Sequence, residues 1–324
     1  MRILIVGISG YIGKALGSAL KSDGHGVIGM TRSASALDEL RKQGFEAALG
    51  DLREPSALSA SILDVDPDVV VCTASAGGGL GDAKAFSADR DAVIALTRVL
   101  QGRDKTLVFT SGSAVFGTFA GGGKSDPAYP EDAKLPLTRA QFAPAQFETP
   151  LTFVEELEAA IGARVEAEQA LLQANGLRGM IIRPGNIYGY GGSIDIPKHI
   201  EIARKIGVAP YAGPGQTTHG YVHLDDVVSL YRLVIERGIH RGIYHAVAEE
   251  VCQKDLAHAI SRMIGAGDTA QSVSLERMFE LGGVRGLRLS VNKRLAADKT
   301  RRELGWSPTR FEALHDVEFG SYAR

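Results

Sequence analysis

Gly7-Ile8-Ser9-Gly10-Tyr11-Ile12-Gly13 follows the apolar run Arg2-Ile3-Leu4-Ile5-Val6 and leads into an amphipathic stretch, so three glycines occupy a strand-to-helix turn. Glycine at the strand end permits the tight turn, a second lets the main chain approach a phosphate, and a third lets helix and strand pack closely. The helix N-terminus adds unpaired N–H groups and the positive end of its dipole. A dinucleotide pyrophosphate fits such a turn, with Gly7, Ser9, Gly10, Tyr11, Ile12 and Gly13 around it. The spacing is GxxGxxG rather than GxGxxG, and it is the strand–turn–helix context that gives it weight.

Outward from this turn, short β-branched runs alternate with amphipathic stretches, the order that a parallel sheet with crossover helices requires. The patterns predict strands at 2–6, 26–31, 45–48, 68–73, 105–110 and 178–183, with helices near 12–22, 34–43, 54–63, 84–101 and 152–175, the last stopped by Asn175-Gly176. Asp68-Val69-Val70-Val71-Cys72-Thr73 is apolar at consecutive positions, as a strand covered by helices on both faces should be. The stretch 112–150, with Gly121-Gly122-Gly123 and five prolines, breaks the rhythm and reads as a long surface loop or lid. From 184 on, Gly/Pro clusters interleave with helices near 196–206, 225–237, 253–264 and 293–304. The expected organisation is an α/β Rossmann-type doubly wound domain over 1–183 and a smaller, mainly substrate-binding lobe over 184–324.

Composition narrows the classes. The chain has 324 residues, 44% of them apolar, and Lys+Arg 36 against Asp+Glu 38, so it can bury a large core and offers a polyanion no mean attraction; no nucleic-acid partner is expected. Cys72 and Cys252 stand apart, without CxxC or metal-spaced His pairs, which argues against a disulfide framework or a metal site. No apolar run reaches the roughly 18 residues of a membrane span, and because Met1 to Val6 run straight into the glycine turn with no h-region or small-residue cleavage site, no signal peptide is expected. A cytoplasmic protein with no membrane partner is expected.

The end of the second strand reports on the adenosine ribose. There an acid would accept from a free 2′-hydroxyl, but this chain has Thr31-Arg32-Ser33, and a guanidinium beside a hydroxyl suits a 2′-phosphate. NADP(H) is therefore expected over NAD(H). The alternatives for Arg32 are a solvated strand-end charge, or a side chain that stacks on the adenine without selecting the phosphate. Asp51-Leu52 can meet the adenine edge, its carboxylate accepting from the exocyclic amine, or Asp51 can cap the helix over 54–63.

Together with these residues, Gly50-Asp51-Leu52, Thr73-Ala74-Ser75, Thr110-Ser111-Gly112-Ser113-Ala114-Val115-Phe116-Gly117 and Arg183-Pro184-Gly185-Asn186-Ile187-Tyr188-Gly189 make the chain resemble an extended or atypical short-chain dehydrogenase/reductase, of the NAD(P)-dependent epimerase/dehydratase family. His223-Leu224-Asp225-Asp226-Val227 and Leu304-Gly305-Trp306-Ser307-Pro308 resemble that family's substrate lobe. The resemblance implies that Thr73, Ala74, Ser75, Pro184, Asn186 and Ile187 line the cofactor, and it implies a Tyr and a Lys four residues apart on the helix before the sixth strand. That pair is absent: Ala160 falls at the Tyr position and Arg164 at the Lys position, and no Tyr in the chain has Lys four residues on. In the family the ammonium lowers the phenol pKa so that phenolate can exchange a proton with the reacting oxygen. Arg164 can hold the nicotinamide ribose, whereas alanine moves no proton.

The third family position, a Ser or Thr on the reacting oxygen, falls on Gly112, flanked by Ser111 and Ser113, either of which can serve if the loop shifts by one residue; both can also be turn serines. Tyr188 is the first candidate to replace the tyrosine, with a packing aromatic as its alternative; Tyr129 and Lys124 on the loop and His219, Tyr221 and His223 in the lobe follow. Glu155, Glu156 and Glu158 read as a solvated helix face. Leu157, Ile161, Val165, Leu171 and Leu172 have core spacing, and a similar helix in the family pairs with its copy, so a homodimer is expected. Two functions fit: an NADP(H)-dependent oxidoreductase or epimerase acting on a hydroxyl or carbonyl of a small polar or sugar-like substrate, or an NADP(H)-binding sensor or regulatory protein without redox turnover.

Overall fold

The computed structural model describes residues 1–77, 83–119, 123, 127–135 and 151–323, with the backbone alone for 83, 118, 119 and 151–157. The first half runs β1 (Arg2–Val6), α1 (Tyr11–Ser22), β2 (Gly26–Thr31), α2 (Ala34–Lys42), β3 (Glu46–Leu49), α3 (Pro55–Val65), β4 (Val69–Cys72), α4 (Ala83–Leu100), β5 (Thr106–Thr110), a 3₁₀ turn (Ser113–Phe116), β6 (Thr118–Phe119), α5 (Leu151–Gln173) and β7 (Arg178–Pro184). The second half runs β8 (Asn186–Tyr188), α6 (Asp195–Ile206), β9 (Pro210–Ala212), β10 (Thr218–His223), α7 (Leu224–Arg237), β11 (Gly242–Ala246), β12 (Glu249–Cys252), α8 (Gln253–Met263), β13 (Gln271–Val273), α9 (Leu275–Arg288), β14 (Val291–Asn292), α10 (Asp298–Leu304) and α11 (Ala313–Phe319).

Seven parallel strands form the large sheet in the order β11-β7-β5-β4-β1-β2-β3. Because successive side chains in a strand point to opposite faces, the apolar runs feed two cores. Ile3, Ile5, Val69, Val71, Val108, Met180 and Ile182 join Leu224, Val227 and Tyr231 of α7 on one face. Leu4, Val6, Val70, Cys72, Leu107, Phe109 and Ile181 join Leu58 of α3, Leu96 of α4 and Leu171 of α5 on the other. The order of connection reverses between β1 and β4, which opens a crevice at their C-terminal ends, where doubly wound folds bind ligands. Strand β11 lies beside β7 in register Gly242 to Met180 through Ala246 to Pro184, so the large sheet draws on chain well beyond residue 183.

Ile161, Val165 and Leu171 are buried within the chain itself, so this part of the α5 stripe is core and not a free face for a second copy. The helix expected over 293–304 is shorter. Residues 293–296 are extended because their backbone groups are used elsewhere: Gly220 N–H donates to Lys293 O, Tyr129 N–H to Arg294 O, and Ala296 N–H to Tyr129 O. The described parts of the expected loop at 112–150 are also tied down. Strand β6 pairs antiparallel with β14, Val115 and Phe116 are fully buried, and Glu131 accepts from the N–H and hydroxyl of Thr300. Lys124 lies outside the described residues. Among the described residues no helix is long and apolar enough to cross a membrane.

Candidate active site

The glycine turn is built as tightly as its sequence demands. Gly7 has φ +94°, a conformation glycine adopts freely, and a Cβ there would lie 2.8 Å from Ala74. A Cβ on Gly13 would lie 2.1 Å from Gly7 O, so only glycine lets α1 start this close to β1. Gly10 N–H donates to Gly7 O at 3.0 Å, and Gly10, the N-cap of α1, carries no side chain over the helix N-terminus. Thr73 closes the far wall, its hydroxyl donating to Val6 O at 3.2 Å. Tyr11 reaches across to the segment after β8 and donates to Gly189 O at 2.7 Å; its burial raises the phenol pKa.

At the end of β2, Thr31 is buried while Arg32 is exposed and makes no hydrogen bond or ion pair among the described residues. The Ser33 hydroxyl caps α2, accepting from Ala36 N–H at 3.3 Å. Asp51 is not the cap of α3: that position is Glu54, with Pro55 next. The Asp51 carboxylate instead accepts from Arg53 Nε and Nη2 and from its backbone N–H, bonds that hold its pKa down at about 2. An adenine amine would have to share that carboxylate. Leu52 beside it is buried.

Below the crevice a buried charge cluster joins β4, α4 and α5. Asp89 accepts from the Ser75 hydroxyl at 2.7 Å and from Ala76 N–H at 2.6 Å. Arg164 Nη2 lies 3.7 Å from Asp89, its Nη1 donates to Thr110 O at 3.3 Å, and its guanidinium stands 4.9 Å from the Phe86 ring centroid. Burial lowers the Arg164 pKa, and Asp89 opposes that. Ala160, one turn earlier on α5, is fully buried. The Ser111 hydroxyl is buried without a partner among the described residues, and Ser113 opens the 3₁₀ turn, also buried. One turn past Arg164, Glu168 takes both Nε and Nη2 of Arg183 in a buried pair that holds α5 to β7.

The lobe candidates spread out. Tyr188 is 1% exposed and packs with Ile196 and Tyr221 in a buried core cluster, where its hydroxyl accepts from Glu312 N–H. Tyr221 is also core. Tyr129 stacks on Phe116 with ring centroids 4.7 Å apart. His223 caps α7, its Nδ1 accepting from Asp225 N–H at 3.2 Å. His219 and Asn186 sit together: His219 Nε2 donates to Val291 O, which leaves Nδ1 to accept from Asn186 Nδ2 at 2.9 Å. Pro184 is buried and Ile187 half-buried on either side.

Sequence reasoning missed Asp89, Asp195, Arg288 and Lys293. Asp195 is buried between Arg288 Nε at 3.0 Å and Lys293 Nζ at 3.0 Å, and Lys293 also donates to Asn186 Oδ1 at 3.3 Å. Asp89 stands within an ordinary amphipathic helix pattern, and Lys293 in a stretch that reads as helix, so no local signal marks either.

The model of the NAD-dependent epimerase/dehydratase family matches residues 3–143. Over the whole chain, an uncharacterized protein of Schizosaccharomyces pombe is 29% identical across 324 residues, 99% of this chain and 100% of that protein. A 3-diazoavenalumate denitrifying reductase from a Streptomyces species is 25% identical over 322 residues, 95% of this chain and 96% of the relative. Among solved structures, a dTDP-glucose 4,6-dehydratase from Streptomyces venezuelae, with NAD bound, superposes with TM-score 0.73 at 19% identity, over 100% of this chain and 96% of that one. The likeness to this solved structure is one of fold; Ala160 and Arg164 occupy the positions at which the resemblance implies a Tyr and a Lys.

Proposed function

We propose that the protein is an NADP(H)-dependent oxidoreductase or epimerase of the extended short-chain dehydrogenase/reductase type, acting on a hydroxyl or carbonyl of a small polar or sugar-like substrate without the Tyr-x-x-x-Lys pair. The observation that carries it is the cradle at Gly7, Gly10 and Gly13, in which any side chain at Gly7 or Gly13 would collide with backbone or with Ala74, together with an unpaired, exposed Arg32 at the end of β2. Backbone N–H groups of Tyr11 and Ile12 at the start of α1 would hold a pyrophosphate. Arg32, with Thr31 and Ser33 beside it, would take the 2′-phosphate, and Leu52 and Ala74 would flank the adenosine. Ser75, Arg164, Pro184, Asn186 and Ile187 would border the nicotinamide end. When bound, the nicotinamide supplies hydride exchange; the chain's own part is to orient the substrate, exclude water and move a proton. Ser111 and Ser113 supply hydroxyls beside the crevice for the reacting oxygen.

Isothermal titration with NADP⁺ and NAD⁺ separately tests this reading. The expected result is at least tenfold tighter NADP⁺ binding, about 1.4 kcal/mol, abolished in Arg32→Ala. If neither nucleotide binds, the glycine turn is scaffold only and the enzyme reading falls. A second reading, a cofactor-binding sensor without turnover, is favoured by one observation, the buried alanine at the proton donor's position. NADPH binding without absorbance change over a panel of carbonyls, alcohols and nucleotide sugars would establish it.

A further inference from the structure

If the family's tyrosine is gone, the proton must come from another group that the fold delivers to the crevice. Lys293 is 2% exposed and directly follows β14, in a stretch that runs between the segment after β5 and the segment after β7. On one side, a Cβ at Gly117, which ends the 3₁₀ turn begun by Ser113, would lie 3.9 Å from Lys293 Cγ. On the other, Lys293 Nζ donates to the side chain of Asn186, which directly follows Pro184 and Gly185 at the end of β7. The amine is therefore held between the segment after β5 and the segment after β7.

Its hydrogen bonds fix both its orientation and its charge. An ammonium has three N–H donors. One goes to Asp195 Oδ2 and one to Asn186 Oδ1, and the third has no acceptor among the described residues. Arg288 holds Asp195 from its other side, so the carboxylate is doubly paired and stays charged when the amine gives up a proton. The groups facing Lys293 are Asp195 from α6, Arg288 from α9, His219 from β10 and Asn186 from β8; His219 is held neutral by burial.

Resting on the proposed oxidoreductase function, we infer that Lys293 is the general acid and base that takes the place of the missing tyrosine, giving the proton of its third N–H to the substrate oxygen. In the reducing direction the carbonyl carbon gains the hydride, the C=O π bond breaks, and the oxygen takes the Lys293 proton. A neutral amine is left beside Asp195, to be recharged from solvent after product leaves. The reverse direction, alcohol to carbonyl, uses that amine as base. Burial brings the Lys293 pKa down to about 8, which is the range a proton donor and acceptor near neutrality needs.

The test pairs a spectroscopic readout with turnover. Two-dimensional NMR of protein labelled with ¹³C and ¹⁵N at lysine, assigned by comparison with Lys293→Met, should show one amine titrating near pH 8, its signal moved by NADP⁺ plus 4-nitrobenzyl alcohol. A midpoint near the ordinary lysine value, or a signal that the pair of ligands leaves unmoved, overturns the proposal without reference to activity. With NADPH and 4-nitrobenzaldehyde, Lys293→Met should lose at least 100-fold in kcat while its NADPH affinity stays within about twofold. The native chain should show a fall in kcat above pH 8, and Lys293→Arg should keep part of the rate and lose that fall. Turnover within threefold of native in Lys293→Met, or an alkaline limb unchanged in Lys293→Arg, also overturns it. Failure of the native protein to bind NADPH at all overturns instead the reading on which it rests.

Discussion

Gly13 and Asp89 show how little latitude single positions have at the crevice. With Gly7 O only 2.1 Å from any Cβ at position 13, Gly13→Ala must push α1 off β1 and open the turn. The expected outcome is at least a tenfold loss of NADP⁺ affinity by titration, with a lowered Tm. Asp89 receives a hydroxyl, a backbone N–H and the charge of a largely buried guanidinium. Asp89→Ala strands Arg164 without its counter-charge, and leaving a buried charge unpaired costs about 3–5 kcal/mol. Urea unfolding should register a loss of that order, whereas Arg164→Met together with Asp89→Ala should recover part of it, since removing both charges also removes the uncompensated one.

Among the elements, α7 is the one that binds the lobe's tail to the large sheet. It sends Leu224, Val227 and Tyr231 into the core, and in its first turn Asp226 accepts from Thr309 N–H and Arg310 N–H while its carbonyl accepts from the Trp306 indole. Hydrogen bonds to a charged acceptor contribute about 1.5–3 kcal/mol each, so Asp226→Ala should lower the denaturant midpoint by more than a single neutral bond would, and hydrogen exchange should quicken at Thr309 and Arg310. The contrast between this region and the first half explains what the sequence discloses. Strands β1 to β5 and β7 announce themselves because each is a short, mainly apolar run whose neighbours in the sheet are earlier or later runs of the same kind. The crossover helices have caps and periods of their own. The segment Lys293-Arg294-Leu295-Ala296-Ala297 carries helix-forming residues, and its extended form is imposed by Thr218, Gly220 and Tyr129, distant partners that no local pattern names. The same holds for the site: the glycines and Arg32 carry their chemistry in their type and place, while Asp195, Arg288 and Lys293 become a cluster only once α6, α9 and the chain after β14 have packed together.

On the scale of the whole molecule, the buried imidazoles set an acid limit. His199, His219 and His245 donate to the carbonyls of Pro210, Val291 and Ala296, and burial keeps all three neutral; the values of His199 and His245 fall to about 4 and about 3. Below the ordinary histidine value of about 6.5 the unfolded chain takes up protons that the folded chain refuses, so stability present above that pH drains away as the pH falls toward the folded values. At pH 5.5 each imidazole costs about 1.4 kcal/mol and the three together about 4 kcal/mol. The Tm should therefore be clearly lower at pH 5.5 than at pH 7.5, and His199→Asn should flatten part of that slope.

The position of β11 in the large sheet has a consequence for how the molecule is made. Strand β7 is complete once Pro184 has been added, yet its outer neighbour does not exist until Ala246 has left the ribosome, after β8 to β10, α6 and α7. Throughout that interval an apolar strand stands with one row of N–H and C=O groups open, the kind of edge to which another nascent chain can add. Translation of this stretch is thus the vulnerable moment in the life of the chain. A pause or a stop codon between residues 184 and 246 should yield aggregates, not a soluble nucleotide-binding half.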